Sequence, residues 1–318
     1  MGNLVQQYSE DNTEVVVLQN EQMTARIAVT LGNTLFSLTA NDREYLYFPY
    51  TLQEYRESPK LAGNPFMHPW ANRLADDSIQ VSGTRHLFPE SSKQLIYRDG
   101  NGLPLHGLLL KSDAWKTTAL YANENESCHE AELLFDRAEW HAVFPFAHAI
   151  RMCHRLQGNA LHVEVTIDNK SGQSMPVSFG FHPYFFKNKE DMQLSLPAEE
   201  VLLTDEKQIP DGQKSPKENY WPFENHRISL SSAVFDHGFT GLPFATQKIV
   251  TYHLDDVALE VDAQYPFVQV YAPAGPGKPY VCIEPMTAAT NALQLASECP
   301  AVAAEAICSA TFTIRINA

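Results

Sequence analysis

The sequence predicts an all-β protein built as a large antiparallel β-sandwich. Three observations carry this reading. Apolar residues recur at every second position in run after run, helical periodicity is sparse, and 20 prolines and 15 glycines punctuate the runs. Period two marks a strand with one face in a core, and many such runs between turns read as sheets packed face to face.

The elements follow in chain order. Met23, Ala25, Ile27 and Val29 alternate with polar or small neighbours, as a half-buried strand does. Phe146, His148, Ile150, Met152, His154 and Leu156 continue the pattern, and Gln157-Gly158-Asn159 supplies a turn. Leu161, Val163, Val165 and Ile167 return from it, so residues 146–167 read as a long hairpin. A second turn at Asn169-Lys170-Ser171-Gly172 leads into Val177, Phe179 and Phe181. Residues 205–222 hold Pro210, Pro216 and Pro222, several charges and little periodicity, and read as a long surface loop. The stretch 257–272 alternates again. Residues 288–307 are alanine-rich, but Pro300 interrupts them, and residues 311–317 close the chain as a strand. No repeat of fixed period and no linker divides the chain, so residues 1–318 are expected to form a single domain.

Composition narrows the function. The 318 residues are 44% apolar and 19% charged, which is the make-up of a globular protein with a sizeable core. Lys and Arg number 23 against 38 Asp and Glu, a formal charge of −15 that argues against nucleic acid or an anionic membrane as partner. The five cysteines are an odd number with no CxxC pair, so neither a disulfide framework nor a zinc knuckle is expected and a reducing cytosol is the simpler setting. The first residues lack the pattern of a signal peptide, Gln6 spoils a myristoylation signal, and no apolar run is long enough to span a bilayer. A cytoplasmic location is expected. Asn125 and Asn169 begin glycosylation triplets, which matter only in a secreted chain.

The run Phe179-Gly180-Phe181-His182-Pro183-Tyr184-Phe185-Phe186 sets one imidazole among five aromatic rings at a strand end. Folding does not ask for a histidine there, whereas aromatic walls around a proton donor suit a sugar ring. Four other polar residues stand where strands meet turns. Arg73 follows Pro69-Trp70-Ala71-Asn72, His106 sits between Leu105 and Gly107, Asp236 lies in Phe235-Asp236-His237-Gly238, and Glu284 separates Ile283 from Pro285. Taken singly, each has an ordinary reading: a solvated carboxylate, a surface cation, a turn cap. His148 and His154 share a strand face with Ile150 and Met152 between them, which reads as packing. Neither HxH nor HExxH spacing occurs, nor GxSxG, nor GxGxxG, and Pro279 after Gly275-Pro276-Gly277-Lys278 blocks the helix a phosphate loop needs. No metal, redox cofactor or nucleotide is expected.

Together these contexts resemble the galactose mutarotase (aldose 1-epimerase) family. The matching segments are Pro69-Trp70-Ala71-Asn72-Arg73-Leu74, Leu105-His106-Gly107, Phe181-His182-Pro183-Tyr184-Phe185, Phe235-Asp236-His237-Gly238-Phe239 and Ile283-Glu284-Pro285-Met286-Thr287, in the family's order across residues 69–287. The resemblance implies a β-sandwich of the galactose mutarotase type with a cleft on its concave face. It implies Glu284 as the base at the anomeric hydroxyl and His182 as the acid at the ring oxygen, with Arg73, His106, Asp236 and Asn72 holding the sugar. Such ring opening needs no redox step. Glutamate titrates near about 4.3 and histidine near about 6.5, so both are usable at neutral pH; Asp236 and Glu284, if close, are expected to raise His182 and keep it protonated.

The expected activity is anomer interconversion of a free hexose by a monomer or homodimer. Alternatives are a phosphorylated or sulfonated hexose, anchored through Arg73, Arg85 or Lys187, and a non-catalytic carbohydrate-binding protein on the same fold. The sequence departs from the family at Pro183, at Phe186-Lys187 and at Ala303-Ala304-Glu305-Ala306, where hydroxyl contacts are expected to differ.

Overall fold

The alternation of residues 146–167 becomes the strands His148–Gln157 and Ala160–Asn169, joined by a tight turn in which Gly158 takes φ +54°. A left-handed residue is what a two-residue hairpin of this twist requires. The computed structural model describes residues 2–189, 191–231, 233–275, 278–295 and 299–317. Around this hairpin a nine-stranded antiparallel sheet grows, with Ser127–Phe135 and Lys116–Ala122 on one side. On the other side stand Ile307–Ile316, Val257–Asp262 and Ile249–Leu254. An eight-stranded antiparallel sheet contains Glu200–Thr204, Phe235–Thr240, Phe267–Ala272, Tyr280–Met286 and Gly180–Phe181 in that lateral order. A third sheet of five strands is formed by residues 4–44.

The two large sheets meet through one apolar cluster. Val163, Val165, Phe312 and Ile314 come from the nine-stranded sheet, and Phe181, Val268, Val270 and Ile283 from the other. Phe181 and Phe312 pack across the interface with ring centroids 4.6 Å apart and planes tilted by 56°. The architecture is the expected β-sandwich, and among the described residues helix is confined to Leu52–Glu57, Ala138–His141 and a few 3-10 turns.

His148 and His154 are buried within this packing. The Nδ1–H of His148 donates to Phe146 O at 2.8 Å, so its Nε2 accepts from His68 Nε2, also at 2.8 Å. Asn169 is fully buried and donates its amide to the carbonyls of Gln173 and Ala303, a structural role that a glycan would destroy.

One expectation needs correction, and two stretches resolve into shorter elements. Residues 205–222 are not one loop, because Pro210–Pro216 forms the edge strand beside Glu200–Thr204. An edge strand exposed on both faces needs no apolar alternation, and its terminal prolines need donate nothing to the ladder. The stretch 257–272 is two strands in different sheets, Val257–Asp262 and Phe267–Ala272, with the buried Tyr265 at the crossing. In the alanine-rich stretch the regular elements among the described residues are the 3-10 turn Ala292–Gln294, the two-residue strand Ala301–Val302 and the start of Ile307–Ile316. Ala296 lies outside the described residues, as do Pro276 and Gly277 of the glycine-rich run.

The two inner faces interlock at Phe312, so Phe312→Ala is expected to lower unfolding free energy by about 3–5 kcal/mol with an unchanged urea m-value. A loss under about 1 kcal/mol in urea titration would show that the faces do not depend on each other there.

Candidate active site

The strand Tyr280–Met286 turns Val281 and Ile283 into the core. The pleat therefore sends Cys282 and Glu284 to the opposite face of the sheet. Register places Gln269 opposite Glu284, Tyr271 opposite Cys282, and Asp236 opposite Tyr271, so these polar groups line up on the outer face. Gly238 stands opposite Gln269, and a Cβ there would lie 3.3 Å from Gln269 Oε1. The missing side chain leaves Gln269 room to donate to Asp236 Oδ1 at 2.8 Å.

His182 follows the short strand Gly180–Phe181, wedged between Tyr280–Met286 and Phe66–Met67. At Gly180 a Cβ would meet Pro285 O at 2.5 Å, so only glycine lets the strands close up. The His182 ring stacks on Tyr184, centroids 4.4 Å apart and planes within 7°. Its Nε2 lies 3.3 Å from Glu284 Oε1. His182 Nδ1 and Glu284 Oε2 are buried without a hydrogen-bond partner.

The third wall comes from two loops zipped together. Leu108 N–H donates to His68 O at 2.8 Å, His106 N–H to Asn72 O at 2.9 Å, and Leu74 N–H to Pro104 O at 3.0 Å. Gly107 (φ +76°) allows this, since a Cβ would sit 2.2 Å from His68 O. Asn72 and His106 both adopt left-handed backbone, at φ +58° and +61°. Such strain, of order 1–3 kcal/mol each, persists only where the surroundings over-determine it, and it gathers at functional sites. The Asn72 N–H donates to His106 Nδ1 at 3.3 Å, which puts the ring proton on Nε2.

Arg73 is held on three sides. Its Nε bonds Asp99 Oδ2 at 2.8 Å, one terminal nitrogen donates to Asn72 Oδ1 at 3.2 Å, and the other stands 3.5 Å from Asp236 Oδ2. All six residues singled out in the sequence (Asn72, Arg73, His106, His182, Asp236 and Glu284) line one cavity of about 240 Å³, together with Leu61, Tyr97, Asp99, Tyr184 and Tyr271. A larger open hollow of about 610 Å³ has only Glu224 and Arg227 as charged lining and brings no acid–base pair together.

The sequence pattern of the aldose 1-epimerase family matches residues 14–302. The chain belongs to the aldose 1-epimerase family. Among solved structures it is similar to a galactose mutarotase-like protein from Clostridium acetobutylicum (17% identity, TM-score 0.84, covering 99% of this chain and 98% of that one). It is also similar to galactose 1-epimerase from Lactobacillus acidophilus (15% identity, TM-score 0.77, 98% of each chain). At the sequence level it is 23% identical over 268 residues to the uncharacterized protein YihR of Escherichia coli, covering 83% of this chain and 81% of that one. The fold is thus the galactose mutarotase β-sandwich. No helix among the described residues is long and apolar enough to cross a membrane.

In this member of the aldose 1-epimerase family, sequence reasoning missed Asp99 and Gln269. Asp99 opens the turn Asp99-Gly100-Asn101-Gly102 and caps it, with Oδ1 accepting from the N–H of Asn101 and Leu103 at 2.9 Å. The turn is readable in the sequence; the second oxygen's grip on Arg73 is not. Gln269 had one signal, a polar residue between Val268 and Val270 in a strand buried on both faces.

Electrostatics also differ from expectation. Burial pushes His182 down to about 3, and Arg73 adds to the effect. Burial, with Asp236, pushes Glu284 well above the carboxylate range, while Arg73 opposes it. Burial, helped by His182 and Arg73, also pushes His106 well below its ordinary value. Asp236 and Glu284 therefore do not keep His182 protonated, because loss of solvent outweighs them. An acid beside a neutral imidazole and a carboxylate beside an imidazolium hold the same number of protons. They differ by one transfer across 3.3 Å.

This makes stability pH-dependent in two opposite senses. Glu284, kept protonated above its ordinary 4.5, withdraws stability as pH rises past 4.5. His182, kept neutral down to about 3, withdraws it as pH falls below 6.5. Relative to wild type, Glu284→Gln is expected to gain about 1.4 kcal/mol per pH unit above its ordinary range, and His182→Gln to gain as pH drops below 6.5. Urea titrations of the three proteins between about pH 4 and 8 check both slopes; parallel curves would mean that neither group is shifted.

Proposed function

We propose that this chain is an aldose 1-epimerase that interconverts the α and β anomers of a free, uncharged hexose. The observation that carries the reading is the His182–Glu284 pair, 3.3 Å apart on the cavity wall with one unpartnered polar atom on each residue. The two oxygens of a hemiacetal hang on one carbon, so an acid and a base serving them must be close neighbours. The cavity, about 240 Å³, is smaller than the roughly 300–1,000 Å³ of most ligand sites and suits one sugar ring.

In the proposed reaction Glu284 takes the proton of the anomeric hydroxyl as His182 gives one to the ring oxygen. The bond between the anomeric carbon and the ring oxygen breaks, leaving an open-chain aldehyde with a free hydroxyl. Rotation about the bond to the carbonyl carbon exposes its other face. The hydroxyl then attacks, returning its proton to His182 while Glu284 protonates the carbonyl oxygen. No electrons leave the sugar and every proton is restored.

Burial has a direct part in this sequence. Before opening, the residues must stand as carboxylate and imidazolium; after opening, they stand as carboxylic acid and neutral imidazole. The shifts at both residues favour the second arrangement. The environment therefore stabilises the proton arrangement that ring opening leaves behind and disfavours the one from which it starts. His106, with its proton on Nε2, supplies a donor for a sugar hydroxyl, and Asp236, held by Gln269, supplies an acceptor.

Charge supports an uncharged substrate. Arg73 is the one cationic side chain among the cavity-lining residues, and Asp99 and Asp236 both face it. Of the other cations considered for an anion, Arg85 bonds Asp76 and Lys187 bonds the carbonyl of Leu230, and neither lines the cavity. A phosphate or sulfonate would meet more negative than positive charge.

Polarimetry on galactose, glucose, arabinose, glucose 6-phosphate and sulfoquinovose tests the reading. Neutral sugars are expected to turn over and the two anionic ones to be poor substrates. Glu284→Gln and His182→Asn are each expected to lower the rate by about 10²–10⁴-fold. Wild-type rates in either variant sink the assigned roles. Preference for an anionic sugar sinks the substrate class, and sugar binding in calorimetry without any acceleration would make the protein a binder.

A further inference from the structure

On the face of the nine-stranded sheet turned away from the core, two cysteines and a glutamate come together. In Ser127–Phe135, Ala131, Leu133 and Phe135 face inward, which turns Cys128 and Glu130 outward. In His148–Gln157, Ile150, Met152 and Leu156 face inward, which turns Cys153 outward. Register sets Glu130 directly opposite Cys153, with Cys128 on the diagonal. The two Sγ atoms are 3.4 Å apart, and a Glu130 carboxylate oxygen completes a triangle whose atoms all lie within 4.8 Å of one another. Among the described residues this is the one such grouping of metal-ligating side chains.

We propose that Cys128, Cys153 and Glu130 bind a thiophilic d¹⁰ cation, Zn²⁺ in the first instance. Zn–S bonds of about 2.3 Å at a tetrahedral angle hold two sulfurs roughly 3.8 Å apart, close to the observed spacing. Two thiolates and a carboxylate leave a fourth position for water, the make-up of an open zinc site. Loading releases the two thiol protons, and the ion carries no redox change.

A disulfide fits the same pair less well. Diagonal neighbours on antiparallel strands have Cα atoms about 7–8 Å apart, beyond the roughly 4.4–6.8 Å that a disulfide spans. An ion between the sulfurs needs no such approach of the backbones. The surroundings suit a bound ion too. Cys128 is fully buried, Cys153 half-buried and Glu130 exposed, so an ion can enter from the glutamate side and finish against the buried sulfur. Tyr121, directly opposite Cys128 on the neighbouring strand, donates its hydroxyl to Glu126 at 3.0 Å. The site is independent of the proposed epimerase chemistry, since the cavity lies on the outer face of the other sheet.

The test uses the full chain, freshly reduced and stripped of metal, titrated with Cd²⁺ as the spectroscopic stand-in. Cadmium–thiolate charge-transfer absorption is expected to saturate at one ion per chain, and Zn²⁺ to displace it. Cys128→Ser and Cys153→Ser are expected to abolish uptake, Glu130→Gln to weaken it, and Cys308→Ser to leave it unchanged. Should a serine variant misfold by circular dichroism, cadmium NMR of the wild type reads the two-sulfur, one-oxygen ligand set without any substitution. Absence of uptake by protein whose thiols are shown by mass to be reduced overturns the proposal. So does uptake that survives in both cysteine variants.

Discussion

The strand Tyr280–Met286 is buried on both faces, and its period of two decides what each face can hold. Val281 and Ile283 are committed to the apolar core between the sheets, so Glu284 can only look outward. The neighbouring strands repeat the same constraint, with Val268 and Val270 inward and Gln269 and Tyr271 outward. A slip of register by one residue would drive a carboxyl into the core and empty the cavity of its polar wall. The packing that stabilises the sandwich is therefore also what aims the site. A site built on strands inherits their precision.

The outer face is covered by loops that are less regular but no less determined. Asn72 and His106 sit at positive φ, and both lie in the segments zipped by the hydrogen bonds around His68 and Gly107. Arg73 leaves this zipper with its guanidinium already bound to Asp99, so its remaining nitrogens point where Asp236 and a ligand can use them. At this degree of burial a lone cation or a lone pair of carboxylates would be expensive, and each group is stabilised by the others. The network fixes direction more than it adds stability.

Much of this was legible in the sequence, for identifiable reasons. Glu284 and His182 each interrupt an apolar run at a strand end beside proline, so residue type and position disagree there. The hairpin of residues 146–167 shows because one of its faces is apolar but for the buried His148 and His154. Pro210–Pro216 did not show, because an edge strand open to solvent carries no alternation. Asp99 was readable as a turn former and nothing more, since its bond to Arg73 spans residues distant in sequence. The direction of the shift at His182 was also out of reach. Charges can be counted in a sequence, but loss of solvent depends on how closely Tyr184 and His106 enclose the ring.

That enclosure makes sense of atoms that otherwise look misplaced. His182 Nδ1 and Glu284 Oε2 are buried without partners, and an unsatisfied polar atom costs about 1–3 kcal/mol. Folding alone would remove both, since a leucine at 284 would pack against Met286 and Cys282 in the adjoining cluster without the penalty. The Phe181–Phe312 interface and the cluster around it supply enough burial to carry the deficit. Both residues nonetheless line the cavity, 3.3 Å apart, so the fold carries there a cost that packing alone does not explain.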